Sequence, residues 1–194
     1  MKIILYLFVI TFNMSIMAQN TSTLPYYEIP EYPETYTPGT VISRMIDGLG
    51  FRFYWATETL TPNDLDFKLK PDGRPIRDIM LHLYSMSCII RDAALKVPHI
   101  RETLKKPLSY TELRTLTLNN YKAASDIFKT AENLEGFNII FKGEPEDRVV
   151  PFWNAINGPI EDSVWHCGQI ATSRRASGNP INPKINHFTG TVKP

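Results

Sequence analysis

Apolar residues recur at three- and four-residue steps along four stretches of this chain, the spacing that lines one face of a helix. Ile42, Met45, Ile46, Leu49 and Phe53 make such a face and predict a helix over about 40–58. Gly48 and Gly50 weaken it, because a glycine in a helix costs about 1 kcal/mol relative to alanine. Ile76, Ile79, Leu83, Met86 and Ile90 predict a second helix that begins near Pro75, a residue suited to a first turn, and ends near Lys96, ahead of Pro98. A third begins near Ser109, where Glu112 three residues on completes a capping-box pattern. Leu113, Leu116, Tyr121, Ala124 and Ile127 carry it to about residue 133.

The fourth helix is expected from Asn157-Gly158-Pro159, with Asn157 as its cap, to about residue 177, where Gly178 and Pro180 stop it. Its apolar stripe is Ile160, Val164, Cys167 and Ala171. Two polar stripes share the remaining surface: Glu161, Gly168, Thr172 and Arg175 on one side, and Asp162, His166, Gln169 and Ser173 on another. One polar stripe faces water; a second asks for a reason.

Between the helices, residues 61–75 read as a loop rich in Pro, Gly, Asn and Asp. Residues 134–150, around the run FNIIF, read as a short strand or an extended loop. Pro25, Pro30, Pro33 and Pro38 exclude a regular helix over 20–39, which reads as an extended arm anchored by its tyrosines. Residues 179–194 hold three prolines and no periodicity, and read as an extended tail. The expected class is all-α, a four-helix bundle with an N-terminal arm over 19–39 and a C-terminal tail over 181–194.

The first residues change the picture. Lys2 followed by an apolar run over 3–12, with Ala18 as a cleavage point, predicts an export signal over 1–18 and a mature chain starting at Gln19. The run is too short to span a bilayer, which takes about 20 residues. The expected location is the periplasm or outside the cell, with no membrane span after processing. The two cysteines, Cys88 and Cys167, could pair in such a compartment or remain two small buried thiols. With 194 residues, 43% apolar and a formal net charge of +1, the chain suits one globular domain and carries no electrostatic footprint for nucleic acid.

Only four histidines occur, at 82, 99, 166 and 187. His82 sits at the edge of the apolar stripe of the second helix, where a side chain can point into a bundle. Asp162 and His166 are four apart, so their side chains converge. With a third ligand such as His82 they would suit a divalent metal and leave positions open for water or substrate. Asp162 could instead orient the imidazole, and the pair could simply decorate a wet face. Gln169, one turn on, would either hydrogen-bond a ligand or brace a neighbouring helix as a buried amide. Arg174 and Arg175 sit where a helix C-terminus favours cations, with anion binding as the functional alternative. Trp55, Trp153 and Trp165 suit core positions or a pocket wall. His99 looks like a surface residue, and nothing in the sequence decides whether His187 folds back.

Those residues carry a resemblance. INGPIEDSVWHCGQIATSRRASGNP resembles the last helix of the DinB-like (YfiT-like) superfamily, whose mark is a histidine, three residues, then a second histidine followed closely by Gly-Gln. RDIMLHLYSM resembles the segment of that family's second helix that supplies a metal-binding histidine, and LTPNDLDFKLKPDGRPIRDIMLHL resembles the approach to it. The likeness runs over about 40–180. It implies a DinB-like four-helix bundle, often dimeric, with His82 and His166 as metal ligands. The first histidine of the last-helix pair falls at Asp162 here, which implies a site of two histidines and one carboxylate. Zinc is the first choice of metal, with nickel, iron or manganese open. Asp162 would be a ligand or the general base of a metal-dependent hydrolase acting on a small molecule, with Gln169 contacting the bound species. A non-catalytic binding or structural module of the cell envelope is the alternative, favoured by the altered histidine and by the Tyr/Pro-rich arm. A thiol-dependent S-transferase, as in some relatives, is a third reading, although an exported chain would not meet the cytosolic thiol such enzymes use.

Overall fold

The computed structural model describes residues 24–101 and 106–194. The segment read as an export signal, 1–18, lies outside the described residues. The described chain is mostly helical. Four long helices account for most of that helix: α1 (Pro38–Thr57), α3 (Ile76–Leu95), α4 (Tyr110–Lys129) and α6 (Glu161–Ala176). Two short ones, α2 (Pro62–Asp66) and α5 (Trp153–Ala155), lie between them. No described helix is long and apolar enough to cross a membrane.

Local sequence sets the helix starts. Ser109 Oγ accepts from the Glu112 amide at 3.2 Å, and the Ser109 amide donates to Glu112 Oε2 at 2.8 Å, which closes the expected capping box of α4. Thr37 does the same for α1 with Thr40, ahead of Pro38. Lys96 ends α3 in the left-handed conformation just before Pro98. The helix α4 stops at Lys129, short of the expected 133, because the chain turns at Thr130.

Each long helix packs chiefly on two others: α1 on α4 and α6, and α3 on α4 and α6. Ile46, Leu49 and Phe53 of α1, Ile76, Met80 and Leu83 of α3, and Leu118 and Tyr121 of α4 are wholly buried where these faces meet. Each such side chain contributes about 1.5–3 kcal/mol of apolar burial. The stripe of α4 is shifted from expectation: Leu116 is exposed and Leu118 takes its place inside.

Three segments depart from the sequence expectation. The loop over 61–75 contains α2, whose start uses Pro62 and a Thr61–Asp64 capping box. Pro, Asn and Asp there act as helix-start residues. The chain before α6 is not a clean N-terminus at Asn157. It runs through α5 into a wide π turn over Ile156–Ile160, where Gly158 breaks the helix with φ −81° and ψ −105°. Finally, the buried face of α6 is Ser163, Cys167, Ile170, Ser173 and Arg174, while Val164 is 38% exposed. Periodicity misplaced that face because most of the side chains α6 buries are small or polar.

Residues 134–150 form a hairpin, with β1 (Ile139–Phe141) antiparallel to β2 (Arg148–Val150). The segment after α3 joins it through a parallel bridge from His99 to Phe141. The tail is also structured: β3 (Ile185–Asn186) pairs with β4 (Thr191–Val192). It docks on the arm, where the Ile29 amide donates to Gly190 O at 2.8 Å. The arm itself is anchored by tyrosine, as expected. Tyr26 is buried against Gly50, where any Cβ would collide with its ring. The glycine that weakens α1 thus makes room for the arm. Tyr27 stacks near Tyr54 and Trp55, whereas Tyr36 is fully in solvent.

Candidate metal centre

The helix α3 brings His82, and α6 brings Asp162 and His166, to the line where those two helices pack. Asp162 lies in the first turn of α6, immediately after the π turn, and α3 also packs against that turn. Such wide turns recur at functional sites because they re-aim the residues beside them. One oxygen, Asp162 Oδ2, lies 3.2 Å from His82 Nε2 and 3.5 Å from His166 Nε2. The two imidazole rings stand edge to face, 4.6 Å apart at 83°. One ligand atom from each of the three residues lies within 4.8 Å of the others.

These spacings fit a metal. Ligands held at 2.0–2.1 Å in a tetrahedron stand about 3.3–3.4 Å from one another, between the two nitrogen–oxygen distances observed. Two imidazoles and a carboxylate also form a donor set that suits zinc or a non-haem iron. Exposure is graded: the His166 side chain is 13% exposed, His82 31% and Asp162 41%. The group lies where α3 and α6 pack and is partly exposed to solvent.

Gln169 supplies what the spacing alone does not. Its Oε1 lies 2.8 Å from His166 Nδ1. A carbonyl oxygen only accepts, so Nδ1 carries the hydrogen and Nε2 keeps its lone pair for the site. Gln169 is exposed, and it braces the imidazole rather than a neighbouring helix.

The other candidates have different roles. Arg174 is 2% exposed and points away from the site. Its Nη1 donates to the carbonyls of Trp55, Ala56 and Glu58 at 3.0, 3.2 and 2.9 Å, and its Nε to Asn179 O at 2.6 Å. A cation at a helix C-terminus was the expectation; the helix it caps is α1 and not its own. With those donors committed, Arg174 is not an anion-binding residue. Arg175 is exposed. His99 is no surface residue: its side chain is 10% exposed and its Nδ1 lies 2.8 Å from Asp92 Oδ2. His187 folds back edge-on to Phe51, and burial, then Arg52, lowers its pKa. Trp55 is buried, while Trp153 and Trp165 are about three-quarters exposed and belong to no core. Cys88 and Cys167 are buried thiols and not a disulfide; burial pushes Cys167 up to about 12.

Sequence reasoning missed the Arg174 lock and its companion Asp64. Asp64 accepts from Asn179 Nδ2 at 2.7 Å and from Ser177 and Thr61. Burial opposes its ionisation, but those hydrogen bonds together hold its pKa down to about 2. The Thr61-x-x-Asp64 capping pattern was the one legible signal there. No family model matches the chain, and no curated protein or solved structure matches it.

Proposed function

We propose that the chain is an exported DinB-like four-helix bundle that holds one divalent ion, zinc by ligand type, on His82, Asp162 and His166. We propose further that it hydrolyses a small ester, amide or phosphate there. The observation that carries this reading is the meeting of three donors from two helices at metal-ligand spacing. Its second support is the Gln169 hydrogen bond, which presets the His166 tautomer a metal needs.

A divalent ion in such a site supplies Lewis acidity toward water and toward a substrate oxygen. The chain's own residues do the rest. His82 and His166 would bring neutral nitrogen donors, which, unlike carboxylates, leave the ion's positive charge uncancelled toward an electron-rich substrate oxygen. Asp162 is the one carboxylate present. It either completes the donor set or takes a proton from the attacking water, and its position between both imidazoles serves either role. His82 is 31% and Asp162 41% exposed, so solvent and solutes reach the group.

The test is to purify the mature chain under metal-replete conditions and measure bound metal together with hydrolysis of chromogenic esters and phosphates. One ion per chain is expected, with metal and turnover lost together in His166→Ala. Unchanged metal content in that variant, or none in the parent, removes the proposal. Metal that is bound and lost in the variant, with no hydrolysis of any probe, leaves a metal-stabilised binding module.

A further inference from the structure

A second polar cluster, on other residues of α3 than the candidate ligand His82, lines a cavity of about 250 Å³ between α3 and the segment that follows it. Arg91, His99 and Arg101 give it three basic side chains, and Leu81, Tyr84 and Ile100 give it an apolar wall. None of the three candidate metal ligands lines it.

The basic side is built rather than incidental. His99 is fixed by its backbone, which bonds Ile140 O at 2.6 Å and the Lys142 amide at 3.2 Å, and by Asp92 on its Nδ1. Asp92 in turn accepts Arg91 Nε at 2.9 Å and Nη2 at 2.7 Å, and Arg91 Nη1 donates to Asn120 Oδ1 at 3.1 Å. Three of the five guanidinium hydrogens of Arg91 are thereby used, which leaves one on each Nη for a ligand. On His99 the ring nitrogen left over is Nε2. The single charge of Asp92 serves Arg91 and His99 at once, and among the described residues Arg101 makes no ion pair, so its cation adds to the basic side of the cavity. Opposite, Leu81 is 44% and Ile100 65% exposed, apolar surface that a ligand would cover.

We propose that this cavity binds a small carboxylate with a compact apolar body, the carboxylate on Arg91 and Arg101, with His99 holding Asp92 and through it Arg91 in place, and the body against Leu81, Tyr84 and Ile100. A planar carboxylate matches the guanidinium fork. Inorganic phosphate would satisfy the cations and leave the apolar wall bare. The volume lies just under the roughly 300–1,000 Å³ of drug-sized pockets, so the ligand is smaller than those.

The experiment uses the metal-free full chain, so that a carboxylate cannot report on the metal centre, and follows backbone amide shifts by NMR. Benzoate, its neutral isostere benzamide, and inorganic phosphate are titrated separately. Benzoate is expected to saturate at one site, shifting amides around residues 88–101, and to bind about tenfold or more tightly than benzamide or phosphate. Arg101→Gln, at an exposed position that the fold does not need, should weaken benzoate several-fold with no change in melting temperature. His166→Ala should leave benzoate binding as it is. Equal binding of benzoate and benzamide, phosphate matching benzoate, no effect of Arg101→Gln, or no saturation at all would each overturn the proposal.

Discussion

Two groups of polar side chains sit on α6, two to three turns apart, and the fold treats them in opposite ways. At the C-terminal end, Arg174 and its neighbours form a closed account of hydrogen bonds. The guanidinium is buried with its donors on the last carbonyls of α1 and on Asn179, and Asn179 and Ser177 serve Asp64. At the N-terminal end, Asp162 and His166 converge with His82 on a shared point, half in solvent. There a single carboxylate oxygen faces two ring nitrogens, and Gln169 holds one ring in the tautomer that directs a lone pair inward. A polar cluster whose bonds are all satisfied within the chain holds helices together. In the second cluster the side chains pair with one another, His82 Nε2 lying 3.2 Å from Asp162 Oδ2, but they stay partly exposed at spacings that could hold an ion. The same helix thus carries a lock and a candidate site, and burial tells them apart better than residue type: Arg174 is 2% exposed, Asp162 41%.

The comparison breaks most readily at the lock. Replacing Arg174→Ala strips the cap from α1, leaves buried carbonyls without partners and opens a cavity, and should cost about 3 kcal/mol or more by chemical denaturation. The metal bound per folded chain should stay unchanged. A loss of metal without a loss of stability would reverse the two roles assigned here.

Asp64 should contribute next most. Its pKa is depressed in the folded chain to about 2, so its contribution is full above the unfolded carboxylate value and disappears as pH falls from about 4 toward 2. The amount is about 2 kcal/mol, read as an acid-induced loss of stability that Asp64→Asn should abolish while lowering stability at pH 7 by a similar amount.

At the site the expectation is inverted. His82→Ala should change stability of the metal-free chain by only about 0.5 kcal/mol, as a partly exposed substitution does, and abolish stoichiometric metal binding. Gln169→Leu should be smaller still in stability, and weaken metal affinity about 10- to 100-fold by freeing the His166 tautomer. Affinity measured by competition with a chromogenic chelator checks both.

How much of this was legible in the sequence follows from what each region is made of. The helices α1, α3 and α4 bury Ile, Leu and Phe at regular spacing, α1 and α4 open on capping boxes and α3 follows Pro75, so their periodicity and starts could be read. The helix α6 buries Ser163, Cys167 and Arg174 alongside Ile170, a face that no apolar pattern marks. Its beginning was misread because Asn-Gly-Pro, a good cap in isolation, here lies inside a π turn. The pairing of Asp162 with His166 was readable, since four-residue spacing fixes it. That His82 meets them depends on how α3 packs on α6, which only the resemblance implied. Arg174 and His99 were misjudged for one reason. Their partners, the α1 carbonyls and Asp92, lie across a contact or a chain turn that residue type alone does not announce.

The central claim is that His82, Asp162 and His166 hold one ion. Anomalous diffraction at the zinc edge, from crystals of the full chain grown with zinc, would locate it. One peak is expected about 2.0–2.2 Å from Nε2 of both histidines and from a carboxylate oxygen of Asp162. No peak there at saturating zinc, or a peak touching only one of the three residues, would contradict it.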